Sequence, residues 1–547
     1  MIHFLERFEE AVKKNWSQYG LSNFKGESFT FGEIATEIEK LHIIFRENGV
    51  KKGDKIALCS KNNARWCIAF FAVTSYDGVA VPILNDFMPE SVQSLTDHSE
   101  SVLLFTEKSI FSQMDPEKMP LVNGIINVED TTVLFSRDGK LTKSIENLDS
   151  LFEKDHPNGL KIDDVKYNYG SLDDLTLISY TSGTTSSPKG VMLSARSISS
   201  NREFAVDSIP VEPGETIVSM LPLAHMYGLA FELIYPISSG CHVFLLGKPP
   251  TPALLLQALA EVKPYIVITV PLVLEKIIKG KVIPTIEKPL FKVLLAIPGI
   301  KNILYSTINK KLMAAFGGNV RKIVAGGAAI AENAEMVMKK LKLPYTVGYG
   351  MTECGPLIGY RDPSTFKARS CGETVHRMEV RIDSKDPQNI VGEIQARGDN
   401  VMLGYYKNPD ATSATFTDDG WLKTGDLGVV DNDGNIFIKG RSKSMILSAN
   451  GQNIYPEEIE DKLNNLPLVA ESIVVDREKK LVALVVPDYE KAAAESIEGD
   501  SLVKLMEENR NKLNDMLPIY SRITKFELRE EAFEKTPKRS IKRFMYS

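Results

Sequence analysis

Few cysteines and no long apolar run separate this chain of 547 residues from several protein classes. Its five cysteines are scattered and form no C-x-x-C pair, which excludes a disulfide framework and disfavours zinc and thioredoxin-type motifs. No stretch reaches the roughly 18 uncharged apolar residues that a membrane-spanning helix needs. The N-terminus has helically spaced apolar residues among charges, where a signal peptide has an uninterrupted apolar core. These features predict a cytoplasmic protein.

The net charge of −6 is too small and of the wrong sign for a dedicated nucleic-acid binder, but it is unevenly distributed. The segment Lys276–Lys311 contains eight lysines and a single acid, Glu287, among Ile, Leu, Val and Phe. Such a segment could lie on the inner face of an anionic membrane or guide an amphipathic substrate. A solvated lysine face above a buried apolar face is the commoner arrangement on surface helices. Peripheral membrane contact therefore stays open.

The first two thirds of the chain alternate short apolar runs with longer amphipathic segments, which is typical of α/β sheets with crossover helices. Buried strands are predicted at 56–58, 79–83, 175–179, 217–221, 242–246, 265–270 and 322–325. Helices are predicted at 62–76, at 252–262 and from about Arg196.

From about Gly392 the pattern changes to short strands separated by turn residues. Asn432–Asn435 predicts a hairpin turn between strands at 427–430 and 436–439. A more charged region follows, with a helix predicted at 456–463 and strands at 472–475 and 480–486. We place a boundary near 439–443, which divides the chain into domains 1–439 and 440–547.

The most informative stretch is Y-T-S-G-T-T-S-S-P-K-G at 180–190, between a predicted strand and a predicted helix. A turn rich in hydroxyls and glycine offers N–H and O–H donors to phosphate oxygens, and Lys189 adds positive charge. It is not a Walker motif, because Pro188 stands in place of the second glycine. A polar surface loop would have a similar composition, so this stretch alone leaves both interpretations open.

Further motifs follow in order: L-P-L-A-H-M-Y-G at 221–228, A-G-G-A-A at 325–329, Y-G-M-T-E at 349–353, G-W-L-K-T-G-D-L-G at 420–428, and G-R-S-K-S at 440–444 with G-Q-N-I-Y-P-E-E-I-E at 451–460. With these motifs the chain resembles the adenylate-forming superfamily, and in particular the bacterial long-chain fatty acyl-CoA synthetases. The resemblance implies an α/β fold. Its large N-terminal region would hold two α/β sheets and a small β-barrel, followed by a mobile α+β C-terminal lid.

The resemblance also implies the substrates and the nucleotide site. Such enzymes use ATP and Mg²⁺ to adenylate a carboxylate and then transfer the acyl group to a thiol such as coenzyme A. The residues implied for the β- and γ-phosphates are Thr181, Ser182, Gly183, Thr184, Thr185 and Lys189. Thr352 would contact the α-phosphate, and Glu353 would hold the metal ion as a hard oxygen ligand. Tyr349, Gly350 and the turn at Gly327 would flank the adenine, and Asp426 with Arg441 would bind the ribose.

Two further roles follow from the resemblance. His225 would lie beside the substrate carboxylate in an acyl pocket with Gly348, although a lone histidine in such a run could equally be a hydrogen-bonded core residue. Lys443 falls at the hinge on which the lid rotates, a role that belongs mainly to its backbone.

One position departs from the family pattern. Where relatives carry a lysine that reaches the α-phosphate, the C-terminal run E-K-T-P-K-R-S-I-K-R places Ser540. A hydroxyl cannot replace a cation, and loss of such a contact can slow catalysis by roughly 10²–10³-fold. Lys538, Arg539 or Lys542 could substitute after a small shift of the loop. The sequence thus favours a fatty acid CoA ligase, with long-chain acids as the expected substrates. Two alternatives stay open: an enzyme that loads an acyl carrier protein, or a catalytically impaired relative.

Overall fold

The computed structural model describes residues 1–181, 188–248, 250–289, 291, 293, 297, 300–447, 452–477, 480–535 and 541–546. Two large mixed sheets and a smaller antiparallel one organise the part of the chain up to Arg441. The first large sheet has nine strands, in the order Glu373–Thr374, Leu357–Tyr360, Tyr345–Gly350, Lys322–Gly326, Ile266–Thr269, Thr216–Ser219, His242–Leu245, Tyr19–Asn23 and Ser28–Thr30.

The middle of this sheet is parallel. Thr216–Ser219, Ile266–Thr269, Lys322–Gly326 and Tyr345–Gly350 all run in one direction, with Gly326 opposite Gly348. Their side chains are almost all buried, as expected for strands covered on both faces. The carboxyl ends of parallel strands meet at one edge of the sheet, which is where α/β proteins bind ligands.

The second large sheet has eight strands, in the order Gly404–Tyr405, Lys189–Ser194, Leu175–Thr181, Val79–Pro82, Lys55–Cys59, Ser101–Thr106, Gly124–Asn127 and Val133–Ser136. Leu175–Thr181 runs parallel to Val79–Pro82 and antiparallel to Lys189–Ser194. The edge pair Gly404–Tyr405 adds to Lys189–Ser194, with Tyr405 opposite Val191. This pairing brings a segment from beyond residue 400 against the strand that follows the hydroxyl-rich loop.

The longer helices lie between the strands and cover the sheets. Those of seven residues or more are Phe4–Lys14, Phe31–Glu47, Ala64–Ser75, Pro89–His98, Lys140–Glu146, Leu148–Asp155, Ala195–Ser208, Pro252–Val262, Pro271–Ile277, Ile300–Ala315, Glu332–Leu341, Pro409–Thr415, Pro456–Leu463 and Asp500–Asp515. Shorter helical segments are Lys108–Phe111, Met226–Gly228, Tyr235–Ile237, Ile283–Ile286, Tyr489–Ala494 and the π-helical turns Leu229–Ile234 and Ile278–Val282. Single 3₁₀ turns are Pro116–Lys118, Ile162–Asp164, Thr352–Cys354, Ile519–Ser521 and Arg543–Met545.

The remaining strands form three small sheets. A four-stranded antiparallel sheet of Met378–Asp383, Gly392–Gly398, Leu422–Val430 and Ile436–Arg441 stands where the resemblance implies a small barrel. The C-terminal unit contains the pair Ile446–Leu447 and Asn453–Ile454 and the sheet Val469–Arg477, Lys480–Pro487 and Lys525–Leu528. This unit has apolar clusters of its own, around Leu463 and around Ile473.

The predicted strands and helices are confirmed, with shifts of a few residues at their ends. The helices Pro252–Val262 and Pro456–Leu463 begin and end where the sequence predicts, since each starts on a proline at its first turn. The predicted hairpin is also confirmed, although its strands are longer than expected and the second continues to Arg441. All five cysteines are unpaired. Among the described residues, no helix is both long and apolar enough to cross a bilayer.

Candidate active site

Loops from three strands meet at the carboxyl edge of the first sheet. Thr216–Ser219 leads into the L-P-L-A-H-M-Y-G segment, Lys322–Gly326 into the A-G-G-A-A turn, and Tyr345–Gly350 into Thr352 and Glu353. Two of these segments touch, because the Tyr227 hydroxyl donates to the carbonyl of Val324 at 3.1 Å. A side chain at Gly326 would lie 2.9 Å from the Tyr227 ring, so this close approach requires glycine. The predicted adenine and acyl segments are therefore neighbours.

Asp426 is the centre of the first polar cluster at this edge. It is only 4% exposed, and it accepts a hydrogen bond from the Tyr349 hydroxyl at 2.8 Å. Its other oxygen lies 2.7 Å from Nε of Arg441, its partner on the neighbouring strand. Burial raises the pKa of Asp426, although Arg441 and Tyr349 both oppose that rise. The structure thus brings together three residues that the sequence predicts for the nucleoside.

Glu353 is the centre of a second cluster, which includes a residue that the sequence analysis missed. It lies with Thr352 in the single turn Thr352–Cys354, directly after the strand that bears Tyr349. The hydroxyl of Tyr405 donates to Oε1 of Glu353 at 2.9 Å. The ammonium of Lys189 lies 4.7 Å from the centre of the same tyrosine ring. Tyr405 lies in no motif that marked the nucleotide site, so only its contacts reveal it.

The hydroxyl-rich loop is described only at its ends. Thr181 and Lys189 lie opposite each other on paired strands, which fixes the two ends of the loop side by side. Ser182, Gly183, Thr184 and Thr185 lie outside the described residues, and so does the segment 536–540 with Lys538, Arg539 and Ser540. Lys542 is described, and its ammonium lies 3.2 Å from a carboxylate oxygen of Glu534 in the C-terminal unit.

The buried carboxylate of Glu232 is hydrogen-bonded to the start of the segment that contains His225. Glu232 is fully buried in the π-helical turn, where one of its oxygens accepts hydrogen bonds from Ser219 Oγ and from the amides of Met220 and Leu221, at 2.9–3.0 Å. Its other oxygen is buried without a hydrogen-bond partner among the described residues. Burial raises the pKa of Glu232 to about 8, because the three hydrogen bonds only partly offset desolvation.

Asn62 holds the same segment from its other side. Its side-chain amide donates to the carbonyl of Leu221 at 2.6 Å and accepts from the amide of Leu223 at 3.0 Å. His225 follows as the half-buried residue before the short helix Met226–Gly228. Neither Glu232 nor Asn62 is predicted from the sequence, since nothing in the local pattern indicates these tertiary hydrogen bonds.

The other predicted residues fall as follows. A side chain at Gly350 would lie 2.3 Å from the carbonyl oxygen of Pro356, so the backbone there requires glycine. Gly348 lies inside the central strand opposite Gly326, and Gly327 has a φ of +87°, which favours glycine in the turn. Lys443 is exposed two residues after the strand that ends at Arg441.

Two ion pairs join the N-terminal region to the C-terminal unit. Arg369 donates to Asp461 at 2.6 Å, and the Lys439 ammonium lies 3.0 Å from Glu458. Arg369 also donates to the carbonyl of Ile330, close to the A-G-G-A-A turn. The relative placement of the two units is therefore tied to the segment predicted to flank the adenine.

The sequence predicts Mg²⁺ at Glu353, and the carboxylates near it bear on that prediction. Among the described residues, no group of three or more His, Cys, Asp or Glu side chains could enclose a metal ion. Mg²⁺ in phosphate chemistry is usually held by one or two carboxylates, substrate phosphates and water. Glu353 is a single carboxylate of that kind.

Two family models match this chain. Residues 8–406 match the model described as AMP-binding enzyme, and residues 443–546 match that of the AMP-binding enzyme C-terminal domain. The chain therefore belongs to the AMP-binding, adenylate-forming enzymes.

Individual relatives are similar over most of the chain. "Long-chain-fatty-acid–CoA ligase FadD15" of Mycobacterium bovis is 30% identical over 489 residues, which cover 84% of this chain and 77% of the relative. "4-coumarate–CoA ligase 2" of Oryza sativa is 27% identical, with 86% of this chain and 80% of the relative covered.

Solved structures share the fold. The structure of "anthranilate CoA ligase AuaEII in complex with anthranoyl-AMP" aligns with a TM-score of 0.78 at 18% identity, covering 100% of this chain and 96% of the other. "O-succinylbenzoate Coenzyme A Synthetase (MenE) from Bacillus Subtilis, in Complex with ATP and Magnesium Ion" aligns with a TM-score of 0.74 at 21% identity, and 98% of each chain is covered.

Proposed function

We propose that this chain is an ATP-dependent fatty acid–CoA ligase that acts on long-chain acids through an acyl-adenylate. One observation supports the proposal above all. The cluster of Asp426, Tyr349 and Arg441 lies at the same sheet edge as Thr352 and Glu353. That arrangement offers a nucleoside site beside a metal-binding carboxylate. The preference for fatty acids is supported by the mycobacterial relative, whereas the rice relative bears the name of an aromatic acid ligase.

In the first step, an oxygen of the fatty acid carboxylate attacks the α-phosphorus of ATP. The new P–O bond forms as the bond to the β-phosphate oxygen breaks, and pyrophosphate leaves. Thr352 would contact the α-phosphate, while Thr181 and Lys189 would bind the leaving phosphates together with Ser182, Gly183, Thr184 and Thr185. Glu353 would hold Mg²⁺, which when bound neutralises charge on those phosphates. Asp426, Tyr349 and Arg441 would hold the nucleoside in line.

In the second step, the sulfur of coenzyme A attacks the acyl carbon. The C–S bond forms, the C–O bond to AMP breaks, and the thiol proton is lost to solvent or base. His225 and Gly348 would line the acyl site, and rotation at Lys443 would exchange the faces of the C-terminal unit between the two steps. An acyl carrier protein would present the same thiol, so it is the alternative acceptor.

Acid-dependent ATP–pyrophosphate exchange tests the first step. Purified protein is assayed with ATP, Mg²⁺ and radiolabelled pyrophosphate in the presence of palmitate, shorter saturated acids and 4-coumarate. We expect exchange that rises with chain length and is weak with 4-coumarate. Absence of exchange with every acid would support the impaired relative, with Ser540 as its cause. Coenzyme A and a phosphopantetheinylated carrier protein are then compared as acceptors.

A further inference from the structure

Tyr405 contacts two oppositely charged side chains of the candidate site. Its hydroxyl donates to Oε1 of Glu353 at 2.9 Å, and its ring faces the Lys189 ammonium, 4.7 Å from the ring centre. Lys189 and Glu353, which both lie among the described residues, form no direct ion pair with each other. One side chain therefore contacts both charged groups.

The backbone holds Tyr405 from two sides. Gly404–Tyr405 pairs with the strand that begins at Lys189. The amide of Met402 donates to the carbonyl of Glu353 at 2.9 Å, and the amide of Tyr406 donates to the carbonyl of Gly190 at 2.7 Å. Tyr405 itself is only 7% exposed. Its ring is therefore held in place by the fold itself.

An ion pair between Lys189 and Glu353 would work against both of their proposed roles. Paired, each charge would be partly neutralised by the other and less available to a phosphate or a metal ion. A tyrosine ring attracts an ammonium group without adding charge, and a phenol hydroxyl orients a carboxylate while leaving its second oxygen for a ligand.

We propose that Tyr405 is a positioning residue, which keeps Lys189 and Glu353 apart and orients both toward the phosphates and metal ion of the bound nucleotide. The inference rests on the nucleotide roles proposed above. It adds Tyr405 as a residue that holds the side chains of Lys189 and Glu353 in place before the nucleotide binds.

The test compares Y405F, Y405L and the control Y406F. Tyr406 is adjacent in sequence, but its hydroxyl donates to Glu100, so Y406F removes a phenol hydroxyl outside the cluster. Calorimetry measures the binding of ATP over a range of Mg²⁺ concentrations and of AMP in EDTA, and Mn²⁺ electron paramagnetic resonance measures metal binding to the ATP complex. These readouts do not depend on turnover.

For Y405F we expect roughly 10-fold weaker metal binding in the ATP complex and unchanged AMP binding, because hydrogen-bond partners of metal ligands typically contribute 10–100-fold to metal affinity. Y405L should bind the metal ion in the ATP complex more weakly than Y405F does, since Lys189 and Glu353 can then pair directly. Y406F should bind the metal ion as tightly as the original protein. Y405F equal to Y406F, or Y405F weakened equally toward AMP, would overturn the inference even if Y405L fails to fold. An original protein that binds AMP but shows no metal-dependent binding of ATP would overturn the proposed function of Glu353, and the role of Tyr405 with it.

Discussion

At the scale of single residues, Glu232 gives the molecule a titratable group within its core. Its pKa is raised from 4.5 to about 8 by burial. A carboxyl group with a raised pKa favours the folded state fully below its ordinary pKa, and this contribution is lost as the pH rises through the folded-state value. The relevant window therefore runs from about pH 4.5 to about pH 8.

Glu232→Gln should flatten the dependence of stability on pH in that window. A glutamine oxygen can still accept hydrogen bonds from the segment above it, but an amide does not ionise. Between about pH 6 and pH 8 we expect the original protein to lose about 2 kcal/mol of unfolding free energy relative to the variant, since each pH unit in this window is worth roughly 1.4 kcal/mol. Urea unfolding at a series of pH values measures the difference.

The control for this comparison is Glu379→Gln, at a glutamate whose side chain is 62% exposed. That variant should follow the pH dependence of the original protein. Parallel stability curves for Glu232→Gln and the original protein across the same pH range would show that Glu232 does not carry a raised pKa.

Asp426→Asn should weaken nucleotide binding specifically. The change removes the charge that faces Arg441 and the strong acceptor of the Tyr349 hydroxyl. Hydrogen bonds to charged groups contribute roughly 1.5–3 kcal/mol, so we expect the KM for ATP to rise about 10–100-fold while the KM for the acid changes little. Steady-state exchange kinetics with each substrate varied in turn separate the two. Equal increases in both constants would contradict a role confined to the nucleoside.

Sequence patterns predict some of these residues and miss others for a physical reason. Asp426, Glu353 and Arg441 lie in ordered motifs, so the resemblance to the family marks them. Tyr405 and Asn62 act through side-chain bonds to residues 52 and 159–161 positions away. Such contacts exist only once the sheets are assembled, so no local sequence pattern predicts them.

At the scale of elements, the segment from Leu221 to His225 is held in one conformation before any substrate arrives. The amide of Leu221 donates to Glu232, and the side chain of Asn62 is hydrogen-bonded to Leu221 and Leu223. A side chain at Gly228 would lie 2.8 Å from the carbonyl oxygen of Pro222. A segment braced in this way would give the proposed acyl site a fixed wall, which would reduce the ordering cost of binding.

Asn62→Ala should therefore loosen the acyl site more than the nucleotide site. We expect the KM for the fatty acid to rise about fivefold, because loss of a hydrogen bond costs about 1 kcal/mol, with the KM for ATP within about twofold of the original value. Exchange assays at saturating ATP and at saturating acid measure the two constants. Asn63→Ala, which removes a helix cap on the next residue, is the matched control.

If Asn63→Ala raises the KM for the acid as much as Asn62→Ala does, the effect comes from the helix Ala64–Ser75 and not from the segment Leu221 to His225. An unchanged KM for the acid in Asn62→Ala would contradict the bracing role directly.

The elements themselves are largely predictable, because strands and helices follow apolar periodicity and proline positions. The π-helical turn Leu229–Ile234 cannot be predicted in this way. All of its residues except Glu232 are apolar, so the segment shows no apolar periodicity. The predicted boundary at 439–443 stays a prediction, although the strand Ile436–Arg441 continues past residue 439.

At the scale of the whole molecule, the segment Lys276–Lys311 remains a candidate for contact with a membrane surface. Within this segment, the helix Ile300–Ala315 exposes 67% of Ile303 and also exposes the lysines at 301, 310 and 311. Anionic lipids attract basic residues by about 1 kcal/mol for each residue near the surface.

Replacing Lys301, Lys310 and Lys311 by glutamine should reduce sedimentation with vesicles rich in anionic lipid, because three attractions of that size are lost. Binding to neutral phosphatidylcholine vesicles should be weak for both proteins. Matched substitutions at Lys339, Lys340 and Lys342, at the end of another surface helix, serve as the control. Unchanged vesicle association and unchanged turnover of long-chain acids would favour a solvated lysine face.

We propose that this AMP-binding enzyme activates long-chain fatty acids for transfer to coenzyme A. One competition experiment tests it most directly. The protein is incubated with ATP, Mg²⁺, coenzyme A and equal concentrations of palmitate and 4-coumarate, and the thioesters are measured by mass spectrometry. We predict palmitoyl-CoA as the main product, formed only when ATP is present. A predominance of 4-coumaroyl-CoA, or no thioester of either acid, would contradict the claim.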